Sequence, residues 1–434
     1  MPITDTVAVT VSVQDVTPSV AGFGTPLILA YHTHYPEVRS YEASPAGLLA
    51  LVADGFSTSH AVYRKASAIV SQTPHTDRFK VAPRAAANVQ TITLTPKWTT
   101  LGKTVSFDVT CGQVTTHVEY KPIVTDTTIT LVATGLQTAV GTIAGVTDSL
   151  VGSAVTLVAT VPEERLYIRN VVGLDVADTS ADAGIAADLA AAALQDNDWF
   201  GLIIDSNCAA EITAAAAYAL ANEKIFAGLS ADATNYGSAT GPAHTLKLAT
   251  NHNGYVIATR DVLGCGEAGL MGRQLSRVPG STTWAHKQIS GAIPDGLSPT
   301  EFNNARANGA ITYVNDGVVH TYDGFACSGR YLDITQGICW LRARMREAVL
   351  IVLVNNEKIG FTNAGASLIE AAMAGVLAQA ESNGLLAPGW STQRPDVANV
   401  SAADKLNRIF PDMKFKAVLQ GAIQKVVIDG TLTV

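Results

Sequence analysis

At 434 residues the chain exceeds a single small core, and at roughly 100–200 residues per domain it should hold two or three. Hydrophobic residues make up 47% and charged residues 15%, a balance that argues against a disordered chain. The net charge of −8 counts against a nucleic-acid partner. No apolar run approaches the ~18 residues of a membrane span, and the nearest candidate, Ala348 to Val354, is far shorter.

Five cysteines (Cys111, Cys208, Cys265, Cys327 and Cys339) are scattered and never form a C-x-x-C pair. That pattern suits buried free thiols made in a reducing compartment. No basic segment leads into an apolar one at the start, so a cytoplasmic site of synthesis is expected.

The first element predicted is a strand. Val7, Val9, Val11 and Val13 alternate with Thr6, Ala8, Thr10, Ser12 and Gln14, one apolar face against one polar. A similar alternation closes the chain over Gln424–Val434, with Val426, Ile428, Leu432 and Val434 on one face. Such strands can pair within their own monomer or add to a neighbour's sheet, and the residues alone leave both open. Eight residues at ~3.3 Å each make an arm of roughly 26 Å, enough to cross a subunit boundary.

Residues 26–84 read as α/β: a strand Pro26–Tyr31, helices Pro45–Asp54 and Thr58–Ser71, and a strand Arg78–Ala82. From Thr91 to Thr160 the composition shifts to 19 threonines in 70 residues with no helical period. Short runs at Thr91–Thr95, Thr104–Cys111, Thr127–Ala133 and Ala154–Val161 predict a small β-sandwich inserted at 85–161. The α/β pattern resumes with strand Trp199–Asp205, helix Ala209–Asn222 and strand Lys224–Ser230, a βαβ-like unit. Ser298-Pro299-Thr300-Glu301 is a helix start with a capping box. A long helix is predicted over Asp333–Val354, and another capped by Asn363 and ending near Gly384.

Signals for chemistry are sparse. Gly264–Gly269 matches G-x-G-x-x-G, but no acid stands about 20 residues on, so close packing of small residues is preferred over a dinucleotide. His32 and His34 could share a strand face. Two ligands do not close a zinc site, and a satisfied or surface pair is preferred. No catalytic, cofactor or metal residue is assigned, and the chain reads as a self-assembling structural protein and not an enzyme. Arg342 and Arg346, i and i+4 on a helix, and a second cluster of Lys405, Arg408, Lys414 and Lys416 could face an acidic partner.

The order of these features resembles the contractile tail sheath proteins of bacteriophages. The resemblance is carried by Val62–Gln72 leading into Arg78–Ala82, by Asp198–Ile203 with Ala221–Phe226, and by Pro279–Ala285 with Lys287. Phe325–Asp333 with Trp340 and Leu341 completes it, and the threonine-rich insert lies outside it. It implies a multidomain α/β (α+β) sheath fold. An inner domain would hold residues 1–25 and 331–434, an outer or middle one 26–84 and 162–330. The subunits would form rings, usually hexameric, stacked helically around a tail tube and bounded by baseplate and terminator proteins. Exchanged terminal arms would link them, no nucleic acid or membrane insertion would be involved, and contraction would drive the tube into the host envelope. The virion tail, assembled in the bacterial cytoplasm, would be its place, and the basic clusters would touch the tube.

Rivals are a tube or capsid subunit, against which the late helices count, a nucleotide-binding enzyme using Gly264–Gly269, and a surface adhesin suggested by the insert.

Overall fold

The computed structural model describes residues 22–86, 90–111, 114–160, 166–237, 241–261 and 264–426. The predicted arm Thr6–Val13 lies outside them, as does all of the C-terminal arm after Val426. Two compact units are distinguished: Gly22–Cys339 together with the segment from Ala422, and Trp340–Gly421.

The larger unit is built on one sheet. Its first strand, β1 (Pro26–Ala30), is wholly buried because it is covered on both faces, which is why it reads as an unbroken apolar run. Leu27 and Leu29 face one core, Ile28 and Ala30 the other. After β2 (Arg39–Glu42) come α1 (Pro45–Ala53) and α2 (Ala61–Val70), then β3 (Arg78–Pro83), parallel to β1.

The threonine-rich region follows as β4 (Thr91–Pro96), β5 (Val105–Cys111), β6 (Val114–Tyr120), α3 (Ile129–Val140), β7 (Val146–Val151), β8 (Ala154–Ala159), β9 (Leu166–Val172) and β10 (Leu174–Asp178). They form a four-stranded sheet, β10-β4-β8-β7, and a three-stranded one, β6-β5-β9, around a common core with α3. Two expectations change. The run Thr127–Ala133 is not a strand but the start of α3, where the Thr128 side chain accepts from Leu131 N at 3.3 Å. Val132, Ala133, Leu136 and Val140 form the buried face. Thr and Val tilt local preference toward strands, but this spacing of three and four buries only as a helix. The insert is therefore not an all-β sandwich. Moreover β9 and β10, which complete its two sheets, lie beyond residue 161.

The main sheet continues through α4 (Ile185–Gln195), β11 (Gly201–Ile204), α5 (Ala209–Ala221), β12 (Ile225–Ser230), α6 (Pro242–Leu248), β13 (Gly254–Ala258), α7 (Gly266–Leu275), α8 (Pro299–Ala307), β14 (Ile311–Asn315) and β15 (Val319–Thr321). Its order is β15-β14-β13-β12-β11-β1-β3-β2, with six parallel strands inside and an antiparallel strand at each edge. The expected βαβ unit is β11-α5-β12, in parallel register Leu202 to Phe226. Helices α1, α2 and α7 lie on the face of Ile28, and α4, α5 and α6 on the face of Leu27, the doubly wound arrangement. Ser298 makes the capping box expected for α8.

Strand order reverses between β1 and β11, where such sheets open a crevice at their carboxyl ends. Here Arg84, at the end of β3, fills it. Its guanidinium donates to Asp205 at 3.0 Å, to both Glu211 oxygens and, at 3.4 Å, to Asp188, all buried. Burial works against the charge on Arg84, but the Asp205 and Glu211 carboxylates outweigh it and hold the guanidinium charged above its usual range. Gly264–Gly269 follows a strand and runs into the first turn of α7, where Gly269, and Gly272 beyond the motif, serve packing. A Cβ on Gly269 would stand 2.6 Å from Ile289, and one on Gly272 would press on Ile69 of α2. Glu267 pairs with buried Lys65 across that seam.

His32 and His34 fall in the loop after β1, not on a strand. His32 is buried against Tyr35, Phe56 and His34, with neither ring nitrogen hydrogen-bonded. The expectation of a satisfied or surface pair fails for it, and burial pushes its pKa down to about 4.

Candidate assembly interface

The second unit begins inside α9 (Leu332–Asn355), the long helix expected from sequence. The early turns of α9 belong to the α/β body, where Leu332 and Cys339 join the core. Past Trp340 no residue of the helix is buried, and Leu350, Leu353 and Val354 are exposed although nothing in Ala348 to Val354 is charged. Next comes α10 (Asn363–Ser382), which buries Ala366, Met373, Val376, Leu377 and Ala380. Its cap is Thr362, whose hydroxyl accepts from Gly365 N at 3.1 Å, and not Asn363. Asn363 instead takes Val397 N on its side-chain oxygen and donates to Asp396, and the Ala398 N–H together with that Asn363 amide holds the Asp396 carboxyl below the usual carboxylate range.

Beyond α10 the backbone returns as a narrow ribbon. β16 (Ser391–Gln393) pairs antiparallel with β17 (Lys414–Lys416), and α11 (Ala402–Leu406) lies between them in sequence. The pairing extends through the bonds Ala387 N to Val418 O at 2.8 Å and Gln420 N to Leu385 O at 2.9 Å. Glu370 of α10 moors the ribbon by accepting from Thr392 Oγ1 at 3.0 Å and Arg394 Nε at 2.9 Å. Its sheet has only these two strands among the described residues, so each has an outer edge. A lone two-stranded ribbon is marginal in water, and an open edge templates a further strand. Lys414 and Lys416, exposed on β17, are the charges that discourage indiscriminate pairing there.

The basic residues named from sequence sit on separate elements. Arg342 and Arg346 are exposed on α9, Lys405 is half-buried on α11, Arg408 is exposed just beyond it, and Lys414 and Lys416 are on β17. Arg344, between the first two, forms an ion pair with Glu347. Of the expected arm residues, Thr6, Val7, Val9, Val11, Val13, Ile428, Leu432 and Val434 lie outside the described residues. Val426 is described, exposed and not in a strand. Sequence reasoning missed β16 and β17. At three residues each they fall below any period, and Trp390 and Phe415 were the available hints.

Residues 332–410, spanning α9 to α11, match the family described as E217 tail sheath protein gp31-like, C-terminal domain. The whole chain superposes on the helical sheath of the anti-feeding prophage in its contracted state. The TM-score is 0.55, with 98% of each chain covered and 10% identity. It superposes also on the contracted sheath complex of the extracellular contractile injection system PVC, with TM-score 0.53, 98% of this chain and 96% of the other covered, and 9% identity. The chain has the fold of a contractile-sheath subunit, and residues 332–410 are similar to a tail-sheath C-terminal domain. A search of curated proteins finds no significant match. The insert, which the resemblance seen in sequence leaves out, falls within the coverage of both sheath superpositions.

Proposed function

We propose that this chain is the repeating subunit of a contractile tail sheath, which polymerises as stacked rings around a tail tube and contracts to drive the tube into a host envelope. The observation that carries the reading is the agreement of two comparisons: a sheath fold over 98% of the chain and, within it, a match to a tail-sheath C-terminal domain over residues 332–410. Its work is mechanical and calls for no catalytic residue, cofactor or metal, since energy is held in the difference between two packings of the assembly.

Rings of six, a tube protein on the inside, and baseplate and terminator proteins at the ends are the partners in this reading. The virion tail, built in the bacterial cytoplasm, is its location. The arms Thr6–Val13 and Gln424–Val434 pair with neighbouring subunits, and the open ribbon β16-β17 is where an added strand is accommodated. Residues 1–25 and 331–434 make the tube-proximal part, 26–84 and 162–330 the outer or middle part, and the insert faces outward. Arg342, Arg346, Lys405, Arg408, Lys414 and Lys416 supply the tube-facing charge.

Negative-stain electron microscopy over a concentration series tests the proposal. Hollow tubes or stacked rings of the full-length protein support it. A monodisperse monomer at every concentration, with or without a tube protein as template, overturns it.

A further inference from the structure

The segment Ala422–Val426 belongs to the α/β body, although the residues before it, back to Trp340, form the other unit. Ala422, Ile423, Lys425 and Val426 are exposed, Ile423 at 85%, and only Gln424 is half-buried. Gln424 is held at two points. Its side-chain amide donates to Thr283 Oγ1 at 2.8 Å, and its carbonyl accepts from His286 Nε2 at 3.2 Å.

Both partners sit on a fixed platform. Between them Trp284 and Ala285 are fully buried, and the Trp284 indole donates to Gln336 at 3.2 Å. Thr283 O accepts from buried Gln274 at 2.7 Å, and His286 N donates to Thr321 O at 2.7 Å. The His286 backbone is left-handed, with φ of 56°, and its ring lies 5.2 Å from that of His320. An otherwise exposed tail is thus gripped at one residue by a rigid part of the body, two residues before Val426.

We infer that Gln424 is the root clamp of the C-terminal arm, a positioning residue that fixes where the arm leaves the body and which way it starts. What the arm then does rests on the sheath reading above; the clamp itself does not. Its physical effect is entropic. A clamped root confines the following residues to a short reach around one point, which raises their effective concentration at a neighbouring subunit's edge. The grip comes from side-chain and carbonyl bonds, so it leaves no trace as secondary structure.

Two readouts on the full-length chain test this. Trypsin cleavage after Lys425, followed by mass spectrometry, reports release of the root, because a protease needs several residues free on each side of its bond. Gln424→Ala and Thr283→Val should each speed that cleavage about ten-fold, with cleavage after Lys416 and the thermal midpoint unchanged. Lys425 cleavage at the wild-type rate in both variants overturns the clamp.

The second readout is the concentration at which polymer first sediments. Gln424→Ala should raise it about ten-fold in the full chain and leave it unchanged in a chain ending at Val426, which has lost the arm. An equal effect in both chains would mean that Gln424 acts through the body and not through the arm, and would overturn the inference. Should the wild-type chain form no polymer, the sheath reading fails, and the Lys425 cleavage rates still decide the clamp.

Discussion

Between residues 22 and 339, polar side chains that enter the interior mostly arrive with partners: Arg84 meets three carboxylates and Lys65 meets Glu267. Across residues 340–421 no polar or charged side chain is buried at all. There, nine apolar residues are buried and nine large apolar side chains, including Leu353, Leu368, Leu406 and Phe415, are exposed. Charge divides the same way, with nine Lys and Arg against seven Asp and Glu in 340–421, and 20 against 30 in the rest. One region completes its own core. The other has spent little of its apolar surface on itself, as suits a surface finished by neighbouring subunits.

If that contrast is right, assembly and stability separate by region. The largest effect is expected from removing Met1–Asp15. Polymer should vanish in sedimentation and microscopy while the circular dichroism spectrum and unfolding midpoint of the monomer stay put. Loss of the folded monomer would instead place that strand inside its own subunit.

Next in size, Arg84→Leu leaves Asp188, Asp205 and Glu211 buried without their cation. It should cost about 3–5 kcal/mol in urea unfolding. A cost within about 0.5 kcal/mol would mean that the crevice at the sheet's switch point is not closed by charge.

Acid should find the same body through His32. The ring has a pKa of about 4 in the fold against the ordinary 6.5, so below 6.5 the unfolded chain takes up a proton that the fold refuses. Stability is therefore full above pH 6.5 and falls between 6.5 and 4, by up to about 3 kcal/mol from this group, with no further loss from it below 4. Unfolding curves at pH 7 and pH 4.5 should converge for His32→Phe relative to wild type, and an unchanged difference would clear His32 of the effect.

Ser298→Ala removes one cap of α8 and should cost about 1 kcal/mol. The smallest change in stability, under about 0.5 kcal/mol, is expected for Leu350→Ser with Leu353→Ser on α9. The same pair should raise the critical concentration for polymer at least ten-fold. Failing that, the exposed end of α9 is no part of the interface.

Much of the architecture was legible because burial on two faces leaves a plain mark. The runs at Pro26–Ala30 and Ile225–Ser230 are wholly apolar or small, and the capping signal at Ser298 is local. The basic residues could be named but not brought together, since charge carries no period once the chain turns between α9, α11 and β17. The helix α3 was misread because β-branched residues dominate the run, and what decided it was burial of Val132, Leu136 and Val140 against two sheets. Thr362 displaced Asn363 as a cap because either residue type can serve, and only backbone geometry chooses.

Periodicity and apolar content by themselves determined that this chain has an α/β body with a βαβ-like unit, an inserted threonine-rich region and long late helices, since those patterns depend on neighbours a few residues apart. Tertiary structure decided what depends on distant residues meeting. It set the sheet order with its filled switch point, the packing role of Gly269 and Gly272, the pairing of β16 with β17, and the grip on Gln424. Apart from the β14-β15 hairpin, each joins groups from 20 (Gly269 to Ile289) to more than 200 (Gly272 to Ile69) residues apart, and no local energy records which of them will touch.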